Sequence, residues 1–160
     1  MTTVRRATAA DRPALEALWA AFMAEQATLD PRAAPAPDAG ALWRATLADL
    51  LRDAGAAVFV AEGASGVAGF LVAEPHAAAP VYAPVRAVHL TELYVAPDAR
   101  RQGMATALLD AAAAWAEGAG AVRLHMDVLW ANAPSRRLVE RWGGAPFAVA
   151  FTRDLGGQAP

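Results

Sequence analysis

No cysteine occurs anywhere in the 160 residues, which excludes a disulfide framework, a thiolate metal site and a cysteine nucleophile. Charge of one sign is also missing. Fourteen Lys and Arg stand against 16 Asp and Glu, for a net charge of −2. That balance gives no electrostatic footprint for nucleic acid or for an anionic membrane surface. Long apolar runs are absent as well: the richest, Met104 to Ala116, is interrupted by Asp110 and is too short to cross a bilayer. Residues 1–12 alternate charged and small side chains and lack the apolar stretch of a signal peptide. The expectation is a cytoplasmic protein with no nucleic-acid and no membrane partner. Two phosphate-binding signatures are missing too, the G-x-x-x-x-G-K-[ST] of a P-loop and the G-x-G-x-x-G of a dinucleotide fold.

What is present suits one domain with a real core, since 56% of the residues are apolar, although much of that is alanine. Thr3–Arg6 reads as a strand, and Thr8 or Asp11 can cap a helix that tolerates Pro13 in its first turn. Leu15, Leu18, Trp19 and Phe22 give that helix a buried face. The proline-rich stretch 29–37 is a loop. Asp38 can cap a second helix with Leu42, Leu47 and Leu50 inward. The apolar runs 57–62 and 67–74, joined by Gly63–Gly66, are a hairpin, and 75–86 is a long connection. Strands are expected at 88–95, 121–129 and 147–155. Helices are expected at 103–117 and 135–142, the latter closed by Gly143 and Gly144. A strand, a crossover helix and a strand make a parallel pair, whereas the hairpin makes antiparallel neighbours. The expected fold is therefore α/β (mixed α+β), one mixed sheet with helices on both faces. It spans 1–155 as a single domain, with 156–160 as a loose tail.

The most informative segment runs from Leu93 to Thr106: LYVAPDARRQGMAT. A strand ends, a short loop with Arg100 and Arg101 follows, and a helix opens at Gly103 and Ala105. Unpaired amides at a helix start, helped by the helix dipole, favour an anion. Small residues at 103 and 105 let phosphates approach those amides, and the arginines can add charge-assisted hydrogen bonds. This is the pattern of a pyrophosphate cradle, or else of an ordinary strand–loop–helix connection with solvated arginines.

The run from Thr91 to Leu109 resembles the central motif of GNAT acetyltransferases, [QR]-x-x-G-x-[GA] after a strand ending V-x-P. Asn132 to Gly143, NAPSRRLVERWG, is similar to that family's N-x-x-[AS]-x-x-[LF]-Y-x-x-x-G segment. Val4 to Asp11 looks like its opening strand and helix cap. The resemblance implies a mostly antiparallel sheet with a splayed parallel strand pair, 88–95 and 121–129, holding acetyl-CoA as co-substrate, with no metal. It implies a cofactor strand at Leu93, Tyr94 and Val95, with backbone of Leu93 and Val95 on the pantetheine arm. Arg100 and the segment Arg101, Gln102, Gly103, Met104, Ala105 and Thr106 would hold the pyrophosphate. Asn132 would bond the pantetheine or acetyl region, or simply cap its helix.

Acetyl transfer to an amine needs the amine neutral, and a positioned base contributes roughly 10²–10⁴-fold. The resemblance points to Glu92 as a carboxylate facing the acceptor, and to Asp127, five residues before Asn132, as the second candidate. His89 and His125 lie on the same two strands. An amide of Leu93 or Val95 would serve the thioester oxygen. The family's usual acid, a tyrosine, falls at Val139, which has no proton to give. Thiols are acidic enough to leave without one. Because of Val139, the alternative to an N-acetyltransferase is a non-catalytic acyl-CoA-binding module. The resemblance implies an acceptor pocket built by the first two helices, which here supply Trp19, Phe22 and Trp43, with Trp130 on the other side, an aromatic lining suited to a cationic primary amine, small molecule or protein. Trp19 and Phe22 are equally spaced as one core face of their helix. Family habit implies a homodimer, with 147–155 as the pairing edge.

Overall fold

The computed structural model describes residues 2–77 and 81–153. Among them, five strands form one sheet in the order β1-β2-β3-β4-β5. These are β1 (Thr3–Arg6), β2 (Ala57–Gly63), β3 (Gly66–His76), β4 (Ala87–Val95) and β5 (Arg123–Met126). The first four are antiparallel in sequence, and β4 with β5 is the parallel pair. Four helices complete the fold: α1 (Arg12–Leu29), α2 (Ala39–Leu50), α3 (Met104–Gly118) and α4 (Ala133–Arg141).

The helices lie on both faces, as the connectivity requires. On one face Leu15 and Trp19 of α1 and Trp43, Leu47 and Leu50 of α2 pack on Val58, Val60, Phe70, Val72 and Tyr94. On the other, Met104, Leu108, Leu109, Ala112 and Ala116 of α3 pack on Phe59, Leu71, Val88, Leu90 and Val95. Alanine on α3 lets that helix sit close to the sheet. Trp142 donates its indole N–H to Asp110 at 2.8 Å, which ties α4 to α3.

Several sequence expectations are corrected. In α2 it is Trp43, not Leu42, that turns inward, and Leu42 is exposed. Spacing explains this: 43, 47 and 50 recur as i, i+4 and i+7, and 42 falls off that stripe. Of the two caps expected for the first helix, Thr8 is the N-cap of the 3-10 turn 9–11 that leads into α1, in a capping box with Asp11. Neither Asp11 nor Asp38 caps its α-helix through its side chain. Asp11 instead turns back to take two bonds from the Arg5 guanidinium, both 2.8 Å, and one from the Thr8 amide at 2.7 Å. Strand β3 runs on through Pro75 and His76. Its pairing with β2 stops at Ala73, so Pro75 sits where β3 is in effect an edge and a missing N–H is tolerated. Strand β5 covers only Arg123–Met126, shorter than the expected 121–129.

The closing strand is the largest correction. Residues 147–153 carry no strand, although their apolar residues alternate. With β5 so short there is little edge left for them to join. Phe147 instead meets the His125 ring, 6.1 Å between centroids. The remainder of that expected strand and the tail 156–160 lie outside the described residues.

Candidate active site

The register of β4 decides which of its side chains reach which face. Val72 of β3 pairs with Glu92, but Ala73 pairs with Leu90, so Thr91 is an extra residue and β4 is bulged there. Val88 and Leu90 face α3 before the bulge, and Leu93 and Val95 face it afterwards. Strict alternation would have sent Glu92 and Tyr94 to α3. The bulge turns both to the α1–α2 side.

Beyond the bulge, β4 and β5 part. Their pairing covers Ala87–Leu90 against Arg123–Met126 and then ends. A cleft opens between the two strands, walled by Leu90, Thr91 and Leu93 of β4, Met126 at the end of β5, Asp127 to Leu129 after it, Asn132 at the cap of α4, and Leu138 and Val139 of α4. Phe22 and Gln26 of α1 close its far side. The edge of β4 beyond Leu90 that would face β5 therefore has no strand partner and stands open to a ligand.

At the N-terminus of α3 the backbone is suited to an anion. Arg101 has φ 62° and Gly103 has φ 81°, left-handed conformations on either side of Gln102, which turn successive amides to one side. Gly103 is the N-cap residue, with no side-chain cap on α3. The amides of Met104, Ala105 and Thr106 consequently have no intrahelical acceptor. A Cβ built on Gly103 meets nothing within 4 Å, so the space before these amides is free. Met104 buries its side chain in the core and offers only its amide. Arg101, Gln102 and Gly103 are exposed, and Arg101 makes no hydrogen bond or ion pair among the described residues.

The two arginines, alike in the sequence, are placed differently. Arg100 donates to the Val95 carbonyl at 2.9 Å and to Glu25 of α1 at 2.6 Å, and lies over the Tyr94 ring. It fastens the end of β4 to α1. Tyr94 is buried in the α1–α2 layer beside Phe22, and burial raises its hydroxyl above the usual tyrosine value. The Asn132 side chain accepts from the Ser135 amide at 3.1 Å and so caps α4. It also lines the cleft, with its NH₂ group still available to donate.

Glu92 sits between two helices. Its Oε1 accepts from Trp19 Nε1 at 2.9 Å and from Trp43 Nε1 at 3.1 Å, and Oε2 takes a second branch from Trp43 at 3.1 Å. Burial raises its pKa, opposed by the two indole bonds, with Glu74 adding to the rise. Thr91 and Leu93 on either side of it line the cleft. Trp19 and Trp43 are packed core rather than pocket lining, stacked with centroids 5.1 Å apart. Of the expected aromatic lining Phe22 reaches the cleft, and Trp130 is exposed beneath the Arg136 guanidinium at 4.4 Å.

Asp127 lines the cleft, with Oδ2 3.0 Å from His89 Nε2. Sequence reading named both residues but not the contact. All three histidines gather here: His125 stands opposite His89 in the parallel register, and its ring is 4.1 Å from that of His76. Burial, with His76, Arg123 and His89 nearby, keeps the His125 pKa below the usual histidine value. Close as they are, these side chains do not form a group of three or more that could hold a metal ion, and no such group occurs among the described residues. The register across β3, β4 and β5 was the signal for this cluster, and it needs the strand pairing to be known.

The bulged strand, the splayed parallel pair and the uncapped glycine start of α3 together mark an acyltransferase fold. Residues 15–144 match the acetyltransferase (GNAT) family, and the chain belongs to that family. Solved structures agree on the fold. An aminoglycoside N-acetyltransferase, AAC(6')-Iy in complex with CoA, superposes with a TM-score of 0.73 at 19% identity, over 95% of this chain and 98% of that one. A ribosomal-protein-alanine N-acetyltransferase from Brucella melitensis biovar Abortus 2308 gives 0.69 at 22%, over 96% and 99%. A mutant of the BH1408 protein from Bacillus halodurans gives 0.85 at 13%, over 96% and 99%. A search of curated proteins finds no match.

Proposed function

We propose that this protein transfers the acetyl group of acetyl-CoA to a primary amine by direct attack in a ternary complex. The observation that carries this reading is the parting of β4 from β5 at Leu90 and Met126. It leaves an open strand edge that leads toward the free amides of α3. In this reading Arg101 to Thr106 hold the pyrophosphate, with Arg101 the arginine that closes on it. Backbone of Leu93 and Val95 takes the pantetheine arm. Acetyl-CoA supplies the activated acyl group as a thioester.

Glu92 is assigned the acceptor side. A carboxylate whose pKa is raised by burial is a better base near neutrality than a solvated one. It attracts the ammonium and removes its proton, leaving a neutral amine to attack. An amide of Leu93 or Val95 meets the charge on the thioester oxygen. With Val139 in the cleft wall, the thiolate leaves without a proton from that position. Asp127, paired with His89, is the second candidate base.

Neighbouring structures are named for aminoglycoside and ribosomal-protein acceptors, which guides the choice of amines to test. Release of free thiol from acetyl-CoA should accelerate with at least one of an aminoglycoside, a polyamine, an alanine-terminated peptide and a lysine peptide. Glu92→Gln should lower kcat/KM at neutral pH by roughly 100-fold and leave acetyl-CoA affinity intact. Gln keeps Oε1 for both indoles, whereas its NH₂ would meet the Trp43 N–H where Oε2 now accepts, so a cooperative melt is the control for folding. Val139 favours one other reading, a non-catalytic acyl-CoA-binding module. Tight acetyl-CoA binding with no turnover on any amine would establish that reading instead.

A further inference from the structure

We propose that Trp19 and Trp43 are positioning residues for the transfer step: their indole N–H groups, brought from separate helices, fix the direction of the Glu92 carboxylate and leave Oε2 to take the acceptor's proton. This rests on the assignment of Glu92 given above.

The geometry distinguishes the two oxygens. Oε1 accepts from both indoles, at 2.9 and 3.1 Å, which uses both of its lone pairs. Oε2 has only the second branch of the Trp43 bond, at 3.1 Å, and keeps a free lone pair. The indoles themselves cannot swing. They stack on one another at 5.1 Å, and Trp43 also meets Phe70 edge-on at 6.1 Å. A core that needed only volume here would be served by apolar rings and an apolar strand residue, with no buried charge to satisfy. Two indole donors converging on a single carboxylate, next to two residues that line the cleft, form an oriented charge.

Protonation follows from the same contacts. Burial and Glu74 on β3 push the Glu92 carboxyl toward its neutral form, whereas the indoles favour the anion. The polar contacts that α1 and α2 make to this carboxylate are the two indole N–H groups. Removing a donor weakens the ionised form more than the neutral one, so the pKa rises and the pH at which the base becomes available rises with it.

The test is kcat/KM against pH for wild type, Trp43→Phe, Glu92→Gln and the double variant, with ¹H–¹⁵N spectra of the indole N–H groups across the same range. In wild type, two indole resonances should titrate together at the midpoint of the acid limb, and Glu92→Gln should abolish that titration. Trp43→Phe should move the acid limb to higher pH with KM for acetyl-CoA unchanged. It should cost nothing further when added to Glu92→Gln. A loss equal at every pH, or one additive with Glu92→Gln, overturns the positioning role while leaving Glu92 as base. Unchanged kinetics in Glu92→Gln overturns both. Should Trp43→Phe fail to fold, Trp19→Phe and the wild-type titration decide. Indole resonances that stay fixed through the acid limb overturn the proposal.

Discussion

Gly103 shows how much one residue carries. Its φ of 81° suits glycine, and the space where a Cβ would point is open. Gly103→Ala should therefore fold with a stability loss of about 1–2 kcal/mol from the left-handed backbone, read by urea unfolding. Gly103→Glu should fold too, yet lose acetyl-CoA binding in calorimetry, because a carboxylate would occupy the phosphate position. Arg101→Ala should weaken that binding by ~1.5–3 kcal/mol, whereas Arg100→Ala should act mainly on stability, through Glu25 and the Val95 carbonyl. Asp11 is the matching case for folding. Held by the Arg5 guanidinium and by Thr8, this buried carboxyl lies well below the usual 3.8. Its folded pKa is depressed, so the stability it contributes is complete above that unfolded value and is lost as pH falls through the folded one. Asp11→Ala should cost roughly 2–3 kcal/mol at neutral pH and should flatten the fall in melting temperature on acidification.

At the scale of the element, the bulge in β4 matters most. One extra residue, Thr91, reverses the facing of everything after it. Deleting Thr91 should remove the bulge and leave Leu90 and Glu92 consecutive against Ala73 and Val72, with Leu93 and Val95 still on α3, so a cooperative melt should survive while the strand straightens beside the cleft. Thr91→Ala should be tolerated within about 0.5 kcal/mol, since Thr91 is exposed and holds only a 3.3 Å bond to Glu74. Sequence alternation alone could not place Glu92, because it cannot show where a strand takes an extra residue. Equally, Arg100 and Arg101 are adjacent in the motif, and only the packing of α1 against β4 reveals that Arg100 is already engaged.

For the whole molecule, ligand binding and association are the measurable quantities. Among the described residues no helix is long and apolar enough to cross a membrane. Acetyl-CoA at 100 times its Kd should stabilise the native state by about 2.7 kcal/mol, read as a rise in Tm that Gly103→Glu abolishes. Phe147, Val149 and Phe151 are exposed at alternate positions of a segment that has no strand partner. We expect them to be covered in a homodimer. Sedimentation should give a dimer at micromolar concentration, and Phe147→Asp with Phe151→Asp should give a folded monomer. A monomeric wild type would remove this expectation.

The sequence by itself determined the element order as far as α4, the mixed sheet with helices on both faces and the strand–loop–helix at 93–106. These follow from local periodicity and from motifs read within a few residues. The hairpin at Gly63–Gly66 and the Asn132 cap are legible for the same reason. Tertiary structure alone decided the rest. The bulge at Thr91 depends on how β3 and β4 match, and the Glu92–Trp19–Trp43 contact joins three elements separated by up to 73 positions. Whether 147–153 forms a strand depended on an edge that β5 does not supply. Such facts arise from pairing between distant segments, and no local pattern encodes which partner will be there.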